Sequence, residues 1–409
     1  MMYSVVVVGA GMIGSSAAKW ASEICGRGVA LVGMGEPSNK SSADLFGAWY
    51  DEGRMTRLFD RNKHWKELAK KSVGRYREIE QRSGVKFYSE VGFLSLVDNK
   101  FPQLDSFNQE AKNLHREGFR CDYVDQGIAD KLFPYLNLSA DVFGYFQPDH
   151  SGHISPRGMV RAQKTIAESN HCDLIEASVL NISKHDNDFQ LLLSNGDKIK
   201  SQKVILATGA YLNLSHHLTP FLPPDQELYL TLTTQSIAYL RIPDREAARL
   251  ATMPSIVTTF TRGPIDGTYI LPPIHYPDGR FYLKLGHFSL GQDKYEGVIT
   301  TGQEMLEWYR VGEGDNTAVQ DLASFLQSLI KDLVVEEVSG GCCVTSKTET
   351  KDGPYIGEVC EGLVVAGGGC GYAAKSCDEI GRIAAVLATG GGWDSGIPAD
   401  VMNIKYRRV

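Results

Sequence analysis

Val5-Val6-Val7-Val8-Gly9-Ala10-Gly11-Met12-Ile13-Gly14-Ser15-Ser16-Ala17-Ala18 is the stretch on which the reading of this chain turns. An unbroken β-branched run is the pattern of a strand buried on both faces. It runs straight into G-x-G-x-x-G, and small residues then open a helix. Gly9 allows a sharp turn, Gly11 lets backbone approach a pyrophosphate, and Gly14 lets the helix lie against the strand, with Met12 and Ile13 between them. The helix start offers unpaired N–H groups and a positive dipole end to the phosphates. A glycine-rich turn without a ligand is the competing reading; the strand before and the helix after weigh against it. One position departs from the pattern. The second strand, Val29-Ala30-Leu31-Val32, should end in an acid that bonds ribose hydroxyls, yet Gly33 stands there and the first acid is Glu36. Either Glu36 reaches back from the loop, or backbone groups and water replace the carboxylate.

The rest of the composition bounds the class. With 409 residues, 43% hydrophobic, 22% charged and 10% aromatic, the chain is neither disordered, collagenous nor a coiled coil. At ~100–200 residues per domain, two domains or one large α/β unit with an insertion are expected. The net charge of −7, from 42 basic and 49 acidic residues without a basic run, argues against nucleic acid or an anionic membrane as partner. Eight cysteines in this length do not make a disulfide framework. Met1-Met2-Tyr3-Ser4 has no basic region, the valine run is too short for a signal segment, and no stretch of ~18 apolar residues occurs. Lys405-Tyr406-Arg407-Arg408-Val409 is not a peroxisomal address. These features predict a cytoplasmic protein in a reduced compartment.

Further along, the pattern mixes types. A helical period runs from Thr56 to Arg82 through Trp65, Leu68, Ala69, Val73, Tyr76 and Ile79. Strands are expected at 85–88 and 92–97, then a helix after Ile154-Ser155-Pro156, then strands at 173–182, 189–193 and 198–206. Residues 227–288 read mostly as β, 316–331 as a helix and 376–389 as the closing helix. Lys203-Val204-Ile205-Leu206-Ala207-Thr208-Gly209-Ala210 and Leu363-Val364-Val365-Ala366-Gly367-Gly368-Gly369 repeat the strand-into-small-residue pattern. Nucleotide-type elements therefore sit at both ends and in the middle, with β-rich insertions between. The expected class is α/β with mixed α+β character. It comprises a discontinuous Rossmann-like domain (1–85, 150–215 and 335–409) and an interleaved substrate domain (86–149 and 216–334) on a large, mostly antiparallel sheet.

Ordered motifs then make the chain resemble a known family. They are GAGMIG at 9–14, Tyr50-Asp51-Glu52-Gly53-Arg54-Met55-Thr56-Arg57, ATGA at 207–210, Tyr282-Leu283-Lys284-Leu285-Gly286-His287, Gly353-Pro354-Tyr355-Ile356-Gly357, and Gly371-Tyr372-Ala373-Ala374-Lys375-Ser376. Together they resemble the FAD-dependent amine and amino-acid oxidoreductases typified by monomeric sarcosine oxidase, N-methyltryptophan oxidase and pipecolate oxidase. The resemblance implies bound FAD, a small amino-acid substrate, dioxygen as acceptor giving hydrogen peroxide, and a monomer. Cofactor contacts would come from the glycine turn, Glu36, Arg54, Ala207, Gly209, Gly369, Gly371, Tyr372 and Lys375. It places Arg54 against the flavin ring, Arg57 and Lys375 on the substrate carboxylate, and Lys284 where a cation promotes reaction with oxygen; Tyr269 matches a substrate-pocket tyrosine. The chemistry agrees, since no side chain accepts a hydride equivalent and a cofactor must. Arg54 and Arg57, three apart, would point to one side if their segment were helical or a tight turn, and a guanidinium fork suits a carboxylate.

Some positions differ from the family. Phe288 replaces a pocket histidine and His287 sits one place earlier, on the opposite strand face. Tyr372 enlarges a turn that is Gly-His-Gly in relatives, which argues against sarcosine itself as substrate. Members attach flavin to a cysteine near this distance before Gly353-Pro354; Cys343 fits the spacing better than Cys342, with buried thiols or a vicinal disulfide as the alternatives. His216-His217 lacks partners at metal spacing, and no metal is expected. The leading expectation is an oxidase of a secondary-amine amino acid, N-alkyl or cyclic. Rivals are a fructosyl-amino-acid oxidase, a flavin dehydrogenase with another acceptor, a flavin-free NAD-dependent opine-type dehydrogenase, and a non-catalytic nucleotide-binding protein.

Overall fold

The computed structural model describes residues 2–39, 42–261, 263 and 265–408; Met1 and Val409, the outermost residues of the two terminal readings, lie outside them. The valine run becomes the strand Met2–Val8, central in an eight-stranded sheet. Val29–Val32 and Lys198–Leu206 flank it, both parallel. Asp173–Ile175 and Leu363–Gly367 extend the parallel array on either side. Alternation between two buried faces explains why every position of the run is apolar. Val5 and Val7 face a cluster with the helices Met12–Cys25 and Ala373–Ala388, while Val6 and Val8 face Ile182, Phe189, Leu191 and Leu228 on the other side. The helices Lys63–Ser83 and Pro156–Ser169 complete the helical layer.

The second sheet has nine strands, among them Phe93–Asp98, Val142–Gln147, Leu230–Ile242, Ser255–Thr259, Gly267–His275 and Phe281–Phe288. Its pairings are antiparallel apart from that of Ser255–Thr259 with Phe93–Asp98. The helix Asn316–Leu329 buries Val319, Leu322, Ala323 and Leu326 against it. No helix among the described residues is long and apolar enough to cross a membrane.

Two local expectations change. The strand Glu337–Thr348, which falls within the 335–409 piece, pairs along its length with Leu230–Ile242 and so belongs to the large sheet. A strand's own pattern does not say which sheet it joins. The helix expected from Thr56 starts only at Lys63, because the Asn62 side chain accepts the His64 and Trp65 N–H groups and caps it there. The preceding Arg54–Thr56 is a short strand paired with Gly152–Ile154. Arg54 and Arg57 therefore do not share a helix face.

Candidate active site

Gly9 leaves the central strand at φ +105°, and a Cβ there would stand 2.5 Å from the Ala207 carbonyl oxygen. A Cβ at Gly14 would lie 1.7 Å from the Gly9 carbonyl oxygen. Only glycine permits either approach. Gly11 caps the helix Met12–Cys25 without a side-chain bond, which leaves its first N–H groups for an anion. Around this turn runs a cavity of about 680 Å³, lined further by residues 32–34, 207–211, 343–346 and 367–371. That size is ordinary for a cofactor site (about 300–1,000 Å³).

The missing acid has a steric cause. A Cβ at Gly33 would meet the Ala10 nitrogen at 2.5 Å and its Cβ at 2.7 Å. Of the two alternatives for this position, the one through Glu36 finds that side chain engaged with a residue of the helix Pro156–Ser169. Arg157 donates to both its carboxylate oxygens at 2.6 Å, and Glu36 is not among the residues lining the cavity.

Arg54 and Lys284 meet on Asp51. Arg54 donates to the Asp51 carboxylate and, at 2.7 Å, to the Ala48 carbonyl oxygen. Lys284, fully buried on the strand Phe281–Phe288, donates to Asp51 Oδ2 at 2.5 Å and to the Gly53 carbonyl oxygen at 2.7 Å. The Tyr276 and Tyr239 hydroxyls donate to the same carboxylate at 2.8 and 3.3 Å, and the Glu52 N–H at 2.7 Å. Burial alone would raise the Asp51 pKa, but Lys284 and Arg54 hold it well below the carboxylate range. Burial and the neighbouring Arg54 lower Lys284 to about 8 despite Asp51. This cluster borders a second cavity of about 460 Å³; Arg54, Tyr50, Tyr309 and Cys343 line both.

Arg57 and Lys375 meet on Asp60. Lys375, buried in the first turn of Ala373–Ala388, donates to Asp60 Oδ2 at 2.5 Å, and Arg57 Nη2 lies 3.5 Å from the same oxygen. Arg57 also donates to the Phe59 carbonyl oxygen at 3.0 Å, and its guanidinium lies over the Phe93 ring. The Asn62 N–H bonds Asp60 Oδ1 at 3.0 Å. Burial lowers Lys375 to about 8, opposed by Asp60 and reinforced by Arg57. For Asp60, burial acts upward, but Lys375 and Arg57 outweigh it and keep the group ionised. Tyr372 lies beside this cluster, its ring stacked on Trp65 with centroids 5.4 Å apart and Lys375 Nζ 5.3 Å from its centre.

Tyr269 lies across from Gly286 in the ladder, where a Cβ would be 2.4 Å from the Tyr269 hydroxyl, so glycine there makes room for the phenol. Burial raises its pKa, and the charge of Arg54 acts against that rise. His287 faces away from Lys284, its Nδ1 2.7 Å from Asp293 and its Nε2 accepting the Ser236 N–H at 3.3 Å. Cys342 and Cys343 are not joined in a disulfide. Cys343 Sγ lies 4.0 Å from Arg54 Nη2, whereas Cys342 packs against the apolar cluster of Phe46, Leu232, Met305 and Tyr309. Asp51 and Asp60 are the site residues that the sequence motifs did not single out. The available signal was spacing, since each acid lies three residues from its arginine, on the outer side of the pair.

The glycine turn at the end of a central parallel strand, with buried cation clusters and a large, mostly antiparallel sheet, defines a mixed α/β architecture. The chain belongs to the family described as DAO, FAD dependent oxidoreductase, whose model matches residues 4–387. Comparison with curated proteins gives no significant match. Among solved structures it is similar to NikD, an unusual amino acid oxidase essential for nikkomycin biosynthesis, in its open form (TM-score 0.77, 20% identity, covering 100% of this chain and 98% of that one). It is also similar to L-proline dehydrogenase from P. horikoshii (0.73, 16%, 98% and 96%) and to glycine oxidase from Geobacillus kaustophilus (0.70, 18%, 99% and 98%). At these identities the likeness is one of fold. The residues fit FAD: the glycine approaches leave backbone open to a pyrophosphate, and buried unpaired polar atoms at Ser215 and His217 lie on residues lining the same cavity.

Proposed function

We propose that this chain oxidises a C–N bond of a secondary-amine amino acid, N-alkyl or cyclic, with dioxygen as acceptor and hydrogen peroxide as product. FAD, when bound, supplies the acceptor for a hydride equivalent and passes the electrons on to dioxygen. The observation that carries the reading is Asp60. Arg57 and Lys375 already grip one buried carboxylate between them, so the pair has the spacing and charge to grip a substrate's. The incoming carboxylate takes Asp60's place on these cations, which orients the amine and its neighbouring C–H bond. Lys284 keeps a positive charge near the reacting centre, where it favours electron transfer to oxygen. Its bonds to Asp51 and Gly53 hold that charge in position.

Cys343 is the residue we assign to a covalent flavin link, because it lines both cavities beside Arg54. Acid precipitation should leave yellow colour with the protein, and Cys343→Ser should release it. The substrate class is tested by adding N-methyl and cyclic amino acids to the pure protein without oxygen. Loss of flavin absorbance with these, and not with the corresponding amines lacking a carboxylate, is expected. Equal bleaching by the decarboxylated amines would sink the clamp.

A further inference from the structure

Gly33 leaves the nucleoside end of the long cavity without an acid, and the Ala10 backbone forbids any side chain there. The groups that can serve instead come from a distant part of the chain. The short helix Tyr211–Leu214 is followed by His216 in the left-handed region at φ 56°, and this turn carries Ser215 and His217 to the cavity wall. The place is fixed by backbone pairing. The Gly33 N–H donates to the Ile175 carbonyl oxygen at 3.1 Å. Four residues further on, the Val179 carbonyl oxygen lies 2.9 Å from His217 Nε2. Gly33, Val179 and His217 all line the one cavity.

That single bond settles the chemistry of the imidazole. A carbonyl oxygen only accepts, so Nε2 carries the proton and donates. Burial, aided by His216, lowers the His217 pKa against the effect of the Val179 bond, and the ring stays neutral. Nδ1 is then a lone-pair acceptor. His217 is 8% exposed, and its Nδ1 is buried with no hydrogen-bond partner among the described residues. The Ser215 hydroxyl is likewise buried and unpaired. A neutral acceptor of this kind repels a phosphate and takes an O–H or N–H donor.

Resting on the FAD reading above, we infer that His217 Nδ1, with Ser215 Oγ beside it, binds the adenosine half of FAD. It accepts a hydrogen bond from a ribose hydroxyl or the adenine amine, in place of the carboxylate that Gly33 cannot carry. No covalent or redox step is involved.

Flavin-free protein, produced under riboflavin limitation in a Cys343→Ser background so that no covalent link forms, is titrated with FAD and with FMN, and flavin fluorescence gives each Kd. His217→Ala should weaken FAD about tenfold to hundredfold while leaving FMN unchanged, and His217→Gln should recover part of the loss. FAD analogues carrying hypoxanthine or 2′-deoxyribose then identify the donor, because the one lacking it should bind wild type and His217→Ala alike. An unchanged FAD Kd in His217→Ala overturns the inference. So does an equal loss for FAD and FMN, which would mean the residue only supports the loop. Wild-type protein that binds no FAD at all would instead overturn the cofactor reading.

Discussion

Asp51 and Asp60 stand on either side of the strand Arg54–Thr56, each buried and each paired with an arginine three residues away and a lysine from a distant element. They differ in how completely they are used. Both oxygens of Asp51 are taken, one by Tyr276 and the Glu52 N–H, the other by Arg54, Lys284 and Tyr239. Asp60 has Lys375 and Arg57 on one oxygen and only the Asn62 N–H on the other, with Arg57 at a loose 3.5 Å. A saturated carboxylate fixes its cations as a permanent charge centre. A sparsely bonded one leaves its cations with capacity for another carboxylate, as the proposed substrate clamp requires. The first arrangement suits a constant field and the second suits exchange.

The largest effect should come from breaking the saturated cluster. Asp51→Asn leaves two cations buried without their counter-charge, and loss of one partner of a buried ion pair costs about 3–5 kcal/mol. Urea or thermal unfolding should show a drop of that order. A change within about 1 kcal/mol would mean that the cluster is not closed to water. In the exchangeable cluster, Lys375→Met should lower kcat/KM for the amino acid by about a hundredfold, roughly the worth of one charged hydrogen bond (about 1.5–3 kcal/mol), with flavin absorbance unchanged. Asp60→Asn should act in the opposite direction on binding. It removes the internal competitor, so KM should fall by about tenfold (~1.4 kcal/mol), while the substrate-free protein becomes less stable. A rise in KM for Asp60→Asn would show that the aspartate organises the cations for substrate instead of yielding to it.

What the sequence made legible follows the same division. The strand and glycine turn at 5–14 could be read because each residue meets a local steric demand, and the structure shows those demands as forbidden Cβ positions at Gly9 and Gly14. Lys284 stood out as a cation in an apolar strand. The two aspartates did not, because in Tyr50-Asp51-Glu52 and Phe59-Asp60-Arg61 an acid near arginines has the local pattern of a solvated surface. Their burial comes from lysines more than two hundred residues away in the chain, which no local window contains. Arg54 and Arg57 would share a side only in a helix or a tight turn. The helical period at 65–79 does not decide the segment before it, which tertiary pairing with Gly152–Ile154 pulls into a strand. The sequence around His217 shows no metal spacing and nothing of its tautomer, which depends on the Val179 carbonyl oxygen, a contact across 38 positions.

The smallest predicted effect separates the clusters by pH. Both lysines are lowered to about 8, burial being the leading cause in each. A lysine is charged below its pKa, so both are mostly protonated at neutral pH and lose charge as pH rises through about 8. At Lys375 that loss leaves Arg57 alone on the substrate carboxylate, and KM should rise several-fold, to about tenfold at most, on the alkaline side. At Lys284 the loss leaves Asp51 and Arg54 in balance with no surplus positive charge, so the step with oxygen should slow while flavin reduction by substrate does not. Stopped-flow measurement of the two half-reactions between about pH 7 and 9.5 resolves them. Lys375→Arg should flatten only the KM profile, because a guanidinium stays charged throughout. Lys284→Arg should flatten only the oxygen profile. If a single substitution flattens both, the two aspartates do not hold independent charges, and the distinction between the fixed and the exchangeable cluster fails.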